Sequence, residues 1–350
     1  MQTLRFFFAC LFLAALASCG KKETAPQTAS NMSIDTTKKA QAVAITDTSH
    51  HLFFRPKAGS VQRYHIVDRL SMSTSDSEPG AAGAAKHTAS STTEIYLHQT
   101  VKNVRRDSSV ELVLRVDSVR LTSQRDTTKT EYSSTNPKDT SANEFEEFKI
   151  LMGKNFSILT NKNGDLDSIT DVSSLTNALL KSVPDSERTN PQVLRYATEQ
   201  AEQVASAYIM RVLVHSPTRA LIQDTTWRSA SDVNLDVAQG LSFPVHIDAT
   251  ETVRGLEKRD NLVLAVLEDS TTTTPRKRVF DEGPTTATIS DFRATSRSVV
   301  RIEDATGLLY HRAMTEMRNF TIVVESKEHA GEKRTVTQHG SEELVTERIE

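Results

Sequence analysis

Long runs in which apolar and polar residues alternate do most to limit what this chain can fold into. From Val61 to Met72 the side chains of Tyr64, Ile66, Leu70 and Met72 share one face while Arg63, His65 and Arg69 share the other. A period of two belongs to an antiparallel strand with one wet side, not to a helix. The alternation recurs over Glu94–Val104, with Ile95, Leu97 and Val101 inward, and over Val110–Leu121, with Val110, Leu112, Leu114 and Val116 inward. It returns later over Phe243–Val253, Asp260–Glu268, Thr285–Ile302, Leu308–Val324 and Arg334–Ile349, most plainly at Phe320, Ile322 and Val324. The Ser-, Ala- and Gly-rich stretch Ser73–Ser91 carries neither period and reads as a long hairpin loop.

Between the two strand groups the period becomes helical. Ser141 to Glu144 has the form of a capping box ahead of Phe145, Phe148 and Met152, and Gly153 closes that pattern. After a short strand, Phe156–Thr160, and a turn at Asn161–Gly164, the residues Val172, Leu175, Leu179 and Val183 recur at helical spacing until Pro184. Asn190 and Pro191 read as the cap and first residue of the longest helix, running to about His215 with a narrow face of Ala197, Ala201, Val204, Tyr208 and Val212. Such a face lets a backbone lie close on a sheet. The expected fold is α+β: a large curved, half-barrel-like antiparallel sheet with two to three helices inserted in the middle and packed on one face. Residues 51–350 form one domain, with strand groups at 51–140 and 217–350 flanking a helical block at 141–216. The single Trp, Trp227, is expected in the connection between helices and later strands.

An internal echo joins the strand groups. Thr100–Asp107 followed by Val110–Leu114 resembles Thr252–Arg259 followed by Leu262–Val266, and Phe156–Gly164 compares with Val299–Gly307. These similarities read either as two related halves or as hairpins of generic pattern, since alternation makes such matches common.

The start of the chain carries a different message. Arg5 precedes an apolar run from Phe6 to Ala17, the layout of an export signal and too short to span a bilayer. At Leu16, Ala17, Ser18 and Cys19 the sequence resembles the lipobox of bacterial lipoproteins. The resemblance implies that residues 1–18 are removed as a signal peptide, that Cys19 is the site of lipid attachment, and that acyl chains hold the protein on a bilayer. Ala15, Leu16 and Ala17 also have the small-x-small form that would release a soluble protein. Gly20, by the same resemblance, permits sorting to the outer membrane, placing the protein in the cell envelope facing the periplasm. From Cys19 to about residue 50 the composition of Thr, Ala, Gln, Lys and Asp is too polar to offset the entropy of ordering a backbone, and reads as a tether.

Composition removes several functions. Losing Arg5 leaves 41 Lys and Arg against 45 Asp and Glu, a net charge of −4 that offers no general attraction to nucleic acid. The two cysteines are Cys10, lost with the signal, and Cys19, which would carry the lipid. Without a free thiol, disulfides, cysteine-based metal sites and thiol nucleophiles fall away. Ten histidines include the adjacent pair His50 and His51 but no His-x-x-x-His, and no nucleophile elbow, Walker loop or dinucleotide fingerprint occurs. Glu144, Glu146 and Glu147 sit where a helix dipole favours them. The basic run Pro275–Arg278 reads as a solvated loop. No catalytic residue, cofactor or metal is expected.

The order of sheet, helices and sheet behind a lipobox resembles uncharacterised Gram-negative lipoprotein families with a domain of unknown function. The pieces that carry this are Lys57 to Gly59, Asn163 and Gly164, and Ala305 to Gly307. More distantly it is similar to the LolA and LolB type of lipoprotein carrier, which implies helices held against a sheet around an apolar cavity. Three functions follow as readings: a non-enzymatic lipoprotein that binds a hydrophobic ligand or apolar segment, a scaffold that binds another envelope protein, or an enzyme without short motifs.

Overall fold

A computed structural model describes residues 41–43, 50–77, 83–136, 146–238, 241–259, 261–282, 285–328 and 332–349. In chain order the elements are β1 (Gln41–Val43), β2 (Val61–Ser77), β3 (Ala85–Val104), β4 (Val110–Arg125), β5 (Thr128–Ser133), α1 (Glu146–Leu151), β6 (Asn155–Thr160), β7 (Leu166–Asp171), α2 (Ser173–Leu180), α3 (Pro191–Val212), β8 (Thr226–Ala238), β9 (Leu241–Arg259), β10 (Leu262–Pro275), β11 (Val279–Glu282), β12 (Thr285–Glu303), β13 (Leu309–Ser326) and β14 (Lys333–Arg348). The strands make one open, 14-stranded antiparallel sheet, ordered β1-β9-β10-β12-β13-β14-β2-β3-β4-β6-β7, with β5 beside β4, β8 beside β9 and β11 beside β12. The chain is therefore mostly antiparallel β, with three helices among the described residues, and the sheet is open.

Four sequence expectations are corrected. Ser73–Ser91 is largely strand: Thr74 to Asp76 pair with His87 to Ala85, because a Ser- and Thr-rich ladder keeps its backbone hydrogen bonds without apolar alternation to announce them. Trp227 lies inside β8 opposite Glu251, not in a connection. The longest helix ends at Val212, where Leu213 turns to extended backbone. Gln41–Val43, within the stretch read as tether, pairs with Leu256–Lys258 of β9. The signal, Cys19, the capping box at 141–144 and Phe145 lie outside the described residues.

Alternation decides which face is buried. Val110, Leu112, Leu114 and Val116 of β4 are fully buried, as are Tyr64, Ile66, Ile95 and Val101 on the neighbouring strands. Each such side chain contributes roughly 1.5–3 kcal/mol. This inner face packs against α2 and α3 through Leu175, Ala201, Ala205, Tyr208 and Ile209. Asn190 caps α3, its side chain accepting from the Gln192 N–H, and Pro191 follows at a position where no N–H is needed. At the other terminus Arg312 of β13 donates to the carbonyls of Met210 (2.8 Å) and Leu213 (2.7 Å), and the Thr346 hydroxyl of β14 donates to that of Arg211 (3.1 Å). Carbonyls that a helix end leaves open are thereby satisfied by a cation that also suits the dipole.

A second apolar cluster lies farther along the same face. Phe243, Val245 and Ile247 of β9 meet Phe280 of β11, Phe292 of β12, and Phe320 and Ile322 of β13, and among the described residues no helix contributes to it. Phe292 stands edge-on to Phe243 at 5.6 Å between ring centroids.

Candidate functional site

Between the two apolar clusters the inner face changes character along one row of the sheet. Reading across the strands in register, the row is Ser229, Ala249, Thr271, Ser296, Glu316, Glu342, Leu70, Ser91 and Ser123. Apart from Leu70, small or hydroxyl-bearing side chains occupy its flanks, and two glutamates hold its centre. Most of these positions keep some exposure to solvent, unlike the buried apolar residues on either side.

The centre of the row is a charged cluster built by three adjacent strands and one helix. Glu316 on β13 stands directly opposite Glu342 on β14, an arrangement in which like charges repel. Arg318, two residues along β13, pairs with Glu316 at 2.6 Å. Opposite Arg318 is Gly340, which contributes no side chain to the face. From the helix, Arg211 reaches Asp68 of β2 at 2.5 Å. Burial first, then the negative charges of Asp68 and Glu316, push the Glu342 carboxyl up to about 7, against the pull of Arg211 and Arg318. Near neutrality the cluster thus alternates between balanced and singly negative as Glu342 gains or loses its proton. Asp269, one row toward the helices, accepts from the Ser298 hydroxyl at 3.0 Å, and its other oxygen is buried without a hydrogen-bond partner. The row can accept hydrogen bonds or a positive charge from a polar group, beside apolar surface on both sides.

Other residues singled out in the sequence are placed elsewhere. His50 meets Asp304 at 2.8 Å, and Arg276 and Arg278 of the basic run are held by Asp232 and by the Ile289 carbonyl. Glu146 and Glu147 fall in α1. Among the described residues no group of three or more His, Cys, Asp or Glu could hold a metal ion, and no helix is long and apolar enough to cross a membrane. Asp68, Arg211, Glu316, Arg318 and Glu342 were not singled out by sequence reasoning, although a signal existed. The parity that puts Tyr64, Ile66, Leu70 and Met72 inward also puts Asp68 inward, and that of Phe320 and Ile322 does the same for Glu316 and Arg318.

No curated protein matches the chain in sequence. A solved structure of lipovitellin, described for its lipid–protein interactions, is similar at a TM-score of 0.40 and 13% identity, over 84% of this chain and 25% of that one. The chain thus spans about a quarter of that protein's length. A DUF1329 family protein from Desulfovibrio piger is similar at a TM-score of 0.12 and 9% identity, over 78% of this chain and 83% of that one. Neither likeness carries a function to this chain. Residues 107–309 match the profile of DUF6263, a family of unknown function, and the chain belongs to that family.

Proposed function

We propose that this protein is a non-enzymatic lipoprotein of the cell envelope, anchored through Cys19 to the outer membrane and facing the periplasm, that holds an amphipathic ligand across the inner face of its sheet. The observation that carries the reading is the polar row with Glu316 and Glu342 at its centre, set between two apolar clusters on one face. Charged side chains between apolar layers are costly to a core that only needs to be stable. They suit a molecule whose apolar part lies along the Phe292 and Phe320 side while a hydroxyl- or amine-bearing group meets the glutamates. Neither nucleic acid nor a cofactor enters this reading.

Native mass spectrometry on detergent-free protein is the test, together with saturation by an apolar dye. A copurifying amphiphile is expected, and Ser296→Phe, which fills the row, should displace it while the fold is retained. Absence of both a bound amphiphile and a saturable dye site overturns the reading. A scaffold role is the second reading, favoured by the burial of the side chains in both apolar clusters; crosslinking in intact envelopes would then return a stoichiometric protein partner. For the anchor, Cys19→Ser should abolish membrane fractionation.

A further inference from the structure

Every turn at one end of the sheet gathers on a single rim. There β3 passes to β4, β6 to β7, β9 to β10 and β12 to β13, while β2 begins and β14 ends. Two chain segments brace this rim. The Arg55 N–H donates to the Thr306 carbonyl, the Leu221 N–H to that of His50, the Asp224 N–H to that of Val253 and the Ser216 N–H to that of Asn163. Phe53, Ile222, Val61, Val104 and Ile349 are exposed on it, Phe53 by 54%, and make up half of the large exposed apolar side chains among the described residues. They follow the strand order around the rim: Ile222 by β9, Phe53 at the β12–β13 turn, Ile349 after β14, Val61 at the start of β2 and Val104 at the end of β3. Exposed Arg55, Lys57, Arg105, Arg106, Lys162 and Arg219 stand among them. Among the described residues the exposed acids there are Asp107, Asp167 and Asp224, and Asp107 is turned back onto the Ser109 hydroxyl and N–H.

The N-terminal segment enters at the same rim. Gln41–Val43 pairs with Lys258 to Leu256, next to the β9–β10 turn. From Cys19 to Gln41 is 22 positions (41 minus 19), a length of chain that can reach at most roughly 75 Å. Exposed Val279 lies toward the opposite end, opposite Thr288, 15 residues up β12 from Glu303, roughly 50 Å away along the strand.

We infer that this rim is a membrane-facing surface, seating Phe53, Ile222 and their apolar neighbours at the headgroup boundary of the bilayer while its lysines and arginines meet anionic phospholipid headgroups. Scattered apolar side chains ringed by cations are what interfacial binding requires, and a short tether entering at that rim keeps it the nearest part of the body to the lipid. The inference rests on the anchor at Cys19 proposed above. It leaves the strands running away from the bilayer, with the inner face looking sideways along the membrane.

The mature chain lacks other thiols, so Phe53→Cys, Ile222→Cys and Val279→Cys can each be labelled with a fluorophore in the full acylated protein. The labelled proteins are reconstituted into phosphatidylethanolamine vesicles with and without phosphatidylglycerol. Spin-labelled lipid should quench the probes at 53 and 222 several-fold more than the probe at 279, and removing phosphatidylglycerol or raising salt should shrink that difference. Flotation with the vesicles but equal quenching at all three positions overturns the orientation and leaves the anchor standing. Failure to float overturns the anchor and the orientation with it.

Discussion

Replacing Glu342 with Gln probes the electrostatics of the polar row directly. Burial, aided by Asp68 and Glu316, raises this carboxyl from the ordinary 4.5 to about 7. Between those two values the folded chain still holds a proton that the unfolded chain has released, so folding stability falls as pH rises through the window. At about 1.36 kcal/mol per pH unit, the interval from 4.5 to 7 amounts to roughly 3 kcal/mol. That figure is an upper one, since Glu342 keeps some exposure to solvent, which screens the charges acting on it. Gln keeps the size and hydrogen-bonding capacity of the neutral acid and cannot ionise. Urea denaturation followed by the fluorescence of Trp227 should therefore show Glu342→Gln within about 1 kcal/mol of the natural protein at pH 5. At pH 8 the variant should be more stable by about 2–3 kcal/mol. Two stability profiles that run parallel between pH 5 and 8 would refute the reasoning, as would a variant less stable than the natural protein at pH 8.

Three further outcomes follow from named contacts. His311 is pushed down to about 4 by burial and then by Arg301 and Arg259; the stability this gives is complete above pH 6.5 and is lost as pH falls through 4, the opposite sense to Glu342, so His311→Gln should flatten acid unfolding monitored by circular dichroism. Asp68→Asn removes the second influence holding Glu342 up, and carbon-13 NMR of the Glu342 carboxyl should report ionisation at lower pH than in the natural protein. Gly307 has φ +72°, and a Cβ there would lie 2.5 Å from the Phe53 carbonyl oxygen and 2.7 Å from the Phe54 Cα. Both contacts are with backbone, so Gly307→Ala should destabilise by about 2 kcal/mol or more in thermal melts.

The strands that carry strong apolar alternation were legible before any coordinates, and the four inward residues of β4 are all fully buried. Asn190 and Pro191 announced the start of α3 because a cap is local chemistry, settled by the residues beside it. What was missed has no such signature. The far halves of β2 and β3, rich in Ser and Thr, pair through backbone groups whatever their side chains, so pattern reading mistook them for a loop. β8 escaped notice because it lies at one edge with many exposed positions. The charged cluster needed two facts that a sequence does not print: that Glu316 falls opposite Glu342, and that Arg211 comes down on Asp68 from a helix 143 positions away. Parity alone marks the inward acids as anomalies, and only the register brings them together.

The internal echo gains weight from where its parts fall. The first similarity lies on the β3–β4 and β9–β10 hairpins and the second on the β6–β7 and β12–β13 hairpins. A generic hairpin pattern accounts for each pair alone, but not for the sheet visiting β3-β4-β6-β7 and β9-β10-β12-β13 with the same neighbours in the same order. β14 then stands between β13 and β2 and joins the two series. This arrangement leaves β7 and β8 at opposite edges, and the chain must travel from one to the other through α2 and α3. A link between opposite edges has to cross a face of the sheet, and the one bearing the apolar clusters is the one that buries the Ala-rich side of α3. The crossing brings Arg211 over the sheet's middle strands, where Asp68 awaits it and Glu342 feels its charge. The polar row is therefore tied to the topology: its acids come from strands on both sides of the join, and its covering cation comes from the helix that the join requires.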